Sequence, residues 1–188
     1  MYTITKEEYN NLITRLQFYD TARNKLLVFS FTAVMTILGV SLQITMNTVS
    51  VYICLIPYLL IIPFSARIVY YRIAAAQIGA FLCVCAQEYS QFSIGTKTVR
   101  EDSAKMYTPI AWLVNHEMTL LGVATGIVYY LKLYDVTSQW NFATYASLLM
   151  PIAAVVFIYK LQHSTEKYSD ISDHFEEEWK QYKSNRSK

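Results

Sequence analysis

The feature that most constrains this chain is a run of 41 residues, Leu26 to Ala66, without a single Asp, Glu, Lys or Arg. A membrane span takes about 20 mainly apolar residues at roughly 1.5 Å of rise each, so the run accommodates two helices and a tight turn. A second charge-free run, the 24 residues from Val136 to Tyr159, accommodates one more. Composition points the same way. Only 16% of the 188 residues are charged, against about 25% in a typical soluble domain, and 15% are aromatic. The first run follows about 25 residues of polar, helix-patterned sequence, which is not the layout of a cleaved signal peptide.

These runs predict an all-α membrane protein with four transmembrane helices and helical cytoplasmic extensions that form a bundle. The first span covers Leu26 to Ile44, and "TMNTVS" makes a polar turn. The second covers Val51 to Tyr71 and contains Pro57 and Pro63. After the hydrophilic "SIGTKTVREDSAK", the third covers Ala111 to Leu133, with His116 and Glu117 near its start and Lys132 near its end. "YDVTSQWN" makes the next turn, and the fourth span covers Phe142 to Tyr159, with Pro151 inside it. The organisation is an N-terminal amphipathic helix (1–25), a first hairpin (26–71), a helix extension and loop (72–106), a second hairpin (107–159) and a C-terminal amphipathic helix (160–188). Fourteen of the sixteen Lys and Arg residues fall before span one, between spans two and three, or after span four, and Arg67 near the end of span two lies on the same side, making fifteen. The positive-inside rule makes those segments, and both termini, cytoplasmic.

The cytoplasmic segments are helical by pattern. Thr5 and Glu8 have capping-box spacing, and Tyr9, Leu12, Leu16 and Tyr19 follow at helical steps. In the tail, Tyr168, Ile171, Phe175, Trp179 and Tyr182 recur at steps of 3, 4, 4 and 3 among charged residues. Such a stripe needs a partner surface, either inside the protein or on a docked protein. The stretch from Ala66 to Phe92 is ambiguous, because Arg67 and Arg72 interrupt it before it turns apolar again. Its fifteen residues from Ile73 to Gln87 rise only about 22 Å as a helix, short for a span. One helix from about 51 to 92 is expected instead, leaving the bilayer at Arg67–Arg72 and packing on the N-terminal helix and the C-terminal stripe. Ala74, Ala75, Ala76, Gly79 and Ala80 offer close approach there.

Little points to catalysis. There is no nucleophile elbow, phosphate loop, zinc pattern or pair of catalytic carboxylates, so no catalytic residue, cofactor or metal is expected and the chain reads as a non-enzyme. Cys83 and Cys85 would point to nearly opposite faces of a helix, a poor metal geometry, and the three cysteines imply no disulfide framework. A net charge of +2 is too small to suggest nucleic acid. Four residues remain as candidates for gating or ligand contact: Glu117 and His116 at the start of span three, and Arg67 and Arg72 at the end of span two. Each also has a plainer reading, with Glu117 and His116 interfacial or structurally paired and the arginines reaching headgroups.

The block from Tyr9 to Phe92 resembles the bacterial SLATT-type membrane effectors of nucleotide-signalling and conflict systems. The likeness is one of layout over about half the chain: an amphipathic helix, "ARNKLLVFSFTAVMTILGVSLQ" as first span, a tight outside turn, a second span and an extended inner helix. The additional hairpin at Ala111 to Tyr159 departs from that two-span pattern. The resemblance implies a protein that oligomerises and permeabilises the inner membrane when a cytoplasmic signal arrives. The expectation is therefore a pore-forming or channel-like homo-oligomer in the plasma membrane, serving antiviral defence and switched by a cytoplasmic protein or small-molecule activator. A non-conducting membrane anchor or immunity protein that docks a soluble partner is the alternative. A small-solute transporter is a third reading, disfavoured by the sparse polar residues in mid-span.

Overall fold

The computed structural model describes residues 4–44, 48–85, 108–136, 142–164 and 168–186. The regular elements among them are all α-helices: α1 (Lys6–Gln43), α2 (Thr48–Ile53), α3 (Ile56–Cys85), α4 (Thr108–Asn115), α5 (Glu117–Val136), α6 (Phe142–His163) and α7 (Tyr168–Arg186). The turn residues 45–47 and 137–141 lie outside the described residues, as do Glu88, "SIGTKTVREDSAK" and the last residues of the stretch ending at Phe92.

Helix α1 starts at the expected capping box. The Glu8 carboxylate accepts from the Thr5 amide at 2.8 Å and the Thr5 hydroxyl at 3.0 Å, while the Glu8 amide donates to Thr5 Oγ1 at 3.2 Å. These bonds hold the Glu8 carboxyl below its usual value. The helix then runs unbroken through Lys25 and Leu26, so the polar-to-apolar border there changes composition but not backbone.

The proline-bearing second span is divided. α2 ends at Ile53, and a tighter turn follows in which Cys54, Leu55 and Tyr58 amides donate three residues back at 3.1, 3.0 and 3.1 Å. Pro57 explains the break: it has no amide to donate, and its ring crowds the carbonyl four residues earlier. Beyond it, α3 tolerates Pro63 and continues through Arg67 and Arg72 to Cys85. The ambiguous stretch is thus, as far as Cys85, a continuation of the second span's helix.

Among the described residues three stretches are long and apolar enough to cross a membrane: α1, Val51–Cys85 and Thr144–His163. The expected third span is different. It divides at His116 into α4 and α5, and α5 is not among the three. Glu117, Lys132 and Asp135 dilute its hydropathy at both ends. The His116 carbonyl already accepts the Leu120 amide at 2.9 Å, which makes His116 the residue at which a new helix begins.

The chain forms two compact units, to each of which α1 and α3 contribute a segment. The first unit comprises Met1–Arg23, Tyr70–Asn115 and Thr165–Lys188; the second comprises Asn24–Val69 and His116–Ser164. The second unit packs Val34 and Leu38 of α1, Ile61 and Ile68 of α3, Met118 and Leu121 of α5 and Ile158 of α6 into one core. Its outside is as apolar as its inside. Phe29 and Met35 on α1, Leu59 on α3, Leu131 on α5, and Leu149 and Phe157 on α6 are all exposed, while Ser30, Ser41, Ser65, Thr125, Lys132 and Gln162 are buried. In the first unit Ile4 and Leu82 are the buried centre, with Leu12, Ile13, Ile78 and Phe81 around them.

Candidate functional sites

In the second unit the polar chemistry gathers on α5. Gly122 and Gly126 stand four residues apart, on one helix face. Their missing side chains let Tyr58 of α3 lie against the α5 backbone, where its hydroxyl donates to the Gly122 carbonyl at 2.7 Å. A Cβ on Gly126 would stand 3.0 Å from that hydroxyl, and one on Gly122 would stand 3.4 Å from Ile158. This is the close approach that a pair of small residues one turn apart allows. By contrast, a Cβ on Gly79, in the run of small residues expected to allow it, meets no described atom within 4 Å.

Helix ends are completed by other helices. At the start of α5, the Thr119 amide and hydroxyl both donate to Gln162 Oε1 of α6, at 2.9 and 2.7 Å, satisfying a donor the first turn leaves free. At the end of α1, Lys132 of α5 donates to the Ser41 carbonyl and, at 3.5 Å, to that of Ile44. Lys132 is only 2% exposed. In the middle of α6, Pro151 withholds the amide that Ser147 would accept. Tyr129 donates to the Ser147 carbonyl at 3.4 Å and Tyr130 to the Leu148 carbonyl at 2.6 Å.

The expected site residues of this unit fall in unlike places. His116 is fully buried and stacks on Tyr159 with ring centroids 5.3 Å apart; Tyr159 stacks in turn on His163 at 5.3 Å. Glu117, half-buried, is the first residue of α5, where the helix dipole favours a carboxylate. Arg67 is exposed on α3.

In the first unit Arg72 is buried, not extended toward headgroups. Its guanidinium donates to the carbonyls of Asn115 at 3.1 Å and Val114 at 2.7 Å, the last two of α4. Lys183 of α7 likewise donates at 3.2 Å to the Val84 carbonyl in the last turn of α3. None of α1, α3 and α4 carries a basic residue in its own last turn, and each receives one from another helix. Burial pushes the Cys85 thiol up despite the opposing charge of Lys183, so it is a weak nucleophile.

The tail stripe enters this unit through Trp179, whose ring meets Phe81 of α3 edge to face at 4.8 Å. Phe175 is half-buried and Tyr182 is exposed beside Trp179. The side chains of Tyr168 and Ile171 lie outside what is described. Between α1, α3 and α7 runs a groove of about 450 Å³, floored by Leu12, Ile78, Phe81 and Trp179 and edged by Glu8, Asn11, Arg15 and Gln77.

Sequence reasoning passed over Tyr58, Thr119, Gln162, Gly122 and Gly126. The four-residue spacing in "GVATG" was the available signal for the last two. Among the described residues no three His, Cys, Asp or Glu side chains come together to hold a metal ion. Comparison with protein-family models, with curated proteins and with solved structures gives no match.

Proposed function

We propose that the protein is a multi-pass inner-membrane protein that assembles into oligomers and acts as a pore-forming or channel-like effector, gated through its first unit. The observation that carries the membrane reading is the outside of the second unit, where large aliphatic and aromatic side chains are exposed although hydroxyl, amide and ammonium groups are buried beside its apolar core. In this reading α5 is a fourth span despite its charges. Lys132 meets backbone carbonyls and Glu117 begins the helix, so the centre of α5 presents Leu120, Val123, Ile127 and Leu131 outward. Four spans and the clustering of cations put both termini in the cytoplasm.

Buried Ser30, Ser41, Thr125 and Lys132 all donate to backbone carbonyls of this unit, which favours a conducting path between copies over one through a single copy. Because α1 and α3 each supply residues to both units, a change in the first unit has two continuous helices along which to reach the second. The layout likeness to SLATT-type effectors supports a role in defence against phage. The test is release of an entrapped dye and of ions from liposomes at increasing protein density. Leakage rising more steeply than protein density is expected, whereas tight vesicles at every density, with and without candidate activators, would sink the idea.

The groove and its attached tail favour a second reading, a non-conducting anchor that docks a soluble partner. Deleting residues 165–188 separates the two. A stable protein that loses only its partner supports docking, and loss of assembly supports internal packing of the tail.

A further inference from the structure

We propose that the groove of the first unit binds a small monoanionic aromatic compound, an aryl carboxylate, with its ring on Trp179 and Phe81 and its carboxylate on Arg15. The groove's volume of about 450 Å³ suits one such molecule. Its floor is aromatic and aliphatic, a surface that takes a flat apolar body.

The edge supplies the polarity. Asn11 and Arg15 sit one turn apart on α1, and Gln77 faces them from α3. Among the described residues none of these three side chains has a polar partner, so two amides and a guanidinium are uncommitted around one apolar floor. Glu8 also edges the groove, but its carboxylate already caps α1 through Thr5. Arg15 therefore provides the available charge, and a guanidinium matches the two oxygens of a carboxylate. The ionised Glu8 two turns away opposes any second negative charge, which is why a monoanion fits better than a phosphate monoester.

This inference is independent of conduction, and its test reads binding alone. With Trp112 and Trp140 changed to Phe, Trp179 is the sole tryptophan of the three in the chain. Naphthoate, naphthyl phosphate and neutral naphthylmethanol are titrated against that protein in nanodiscs. Naphthoate is expected to quench Trp179 saturably, and Arg15→Gln to weaken it about tenfold, the size of one charge-assisted hydrogen bond, with weak naphthylmethanol binding unchanged. Calorimetric titration of the unsubstituted chain gives the same comparison if the tryptophan changes disturb folding. Non-saturable quenching, equal affinity in Arg15→Gln, equal loss of the neutral alcohol, or tighter binding of the phosphate dianion would each overturn the proposal.

Discussion

The Tyr129 hydroxyl on α5 donates to the Ser147 carbonyl on α6 at 3.4 Å, and Ser147 is the residue four before Pro151. An aromatic side chain of one helix thus supplies the donor that a proline removes from the next. In water the freed carbonyl would be solvated; in hydrocarbon it needs a protein donor. Tyr130, donating to Leu148 at 2.6 Å, serves the adjacent carbonyl.

Tyr129→Phe is therefore expected to destabilise the second unit by about 0.5–1.5 kcal/mol. In a Pro151→Ala background the restored backbone amide can reach the Ser147 carbonyl, so the same change should cost clearly less. Reversible unfolding in mixed micelles measures this cycle, and an undiminished cost in the alanine background would remove the proline from the explanation.

Gly126→Ala should lower stability by about 1–3 kcal/mol, because the new methyl meets a Tyr58 hydroxyl already held at 2.7 Å by Gly122. Gly79→Ala should instead raise it by about 0.5–1 kcal/mol, since that site is open and alanine restricts the unfolded chain. Thermal melts of the two variants are predicted to move in opposite directions.

Lys132→Met removes a buried ammonium from the end of α1 and leaves the Ser41 and Ile44 carbonyls short of a donor. A loss of about 1.5–3 kcal/mol is expected, the range for a hydrogen bond from a charged group. Lys132→Gln, which keeps a donor, should recover part of it. Hydrogen exchange at the C-terminal turn of α1 locates the effect, and unchanged protection there would count against the cap.

The capping box of α1 gives an acid dependence. Glu8 is held below its usual value of 4.5, so its contribution is complete above that pH and is lost as pH falls through the lower folded value. Helicity of the α1 N terminus should then fray on acidification, and Glu8→Gln should flatten that titration. Circular dichroism between neutral and strongly acidic pH tests it; a Glu8→Gln profile matching the parent would rule out Glu8 as the titrating group.

Much of the architecture is readable in the sequence because it depends on neighbours within one or two helical turns. The capping box at Thr5 and Glu8, the continuation of α3 past Arg72 and the amphipathic tail all follow from residues close in sequence, whereas the division of the expected 51–92 helix before Pro57 does not. The candidate sites are less legible. Arg72 reads as a headgroup anchor because its partners, Val114 and Asn115, lie more than forty residues away and belong to a short helix that apolar composition merges with the next. His116 reads as one polar residue near the start of a span, and it is where one helix ends and another begins.

Helicity, the positions of the apolar runs and the side of each run that carries positive charge follow from the amino-acid order alone. Those properties are local sums of side-chain transfer energy and backbone capping. Which helix completes which is a matter of packing. Lys132 and Ser41 are 91 residues apart, Lys183 and Val84 are 99 apart, and Tyr58 and Gly122 are 64 apart. A carbonyl at a helix end can take its donor from whichever helix packs beside it, and no local pattern names that neighbour. The charge-free run of 41 residues sets that requirement, because a backbone withdrawn from water must find its partners within the protein.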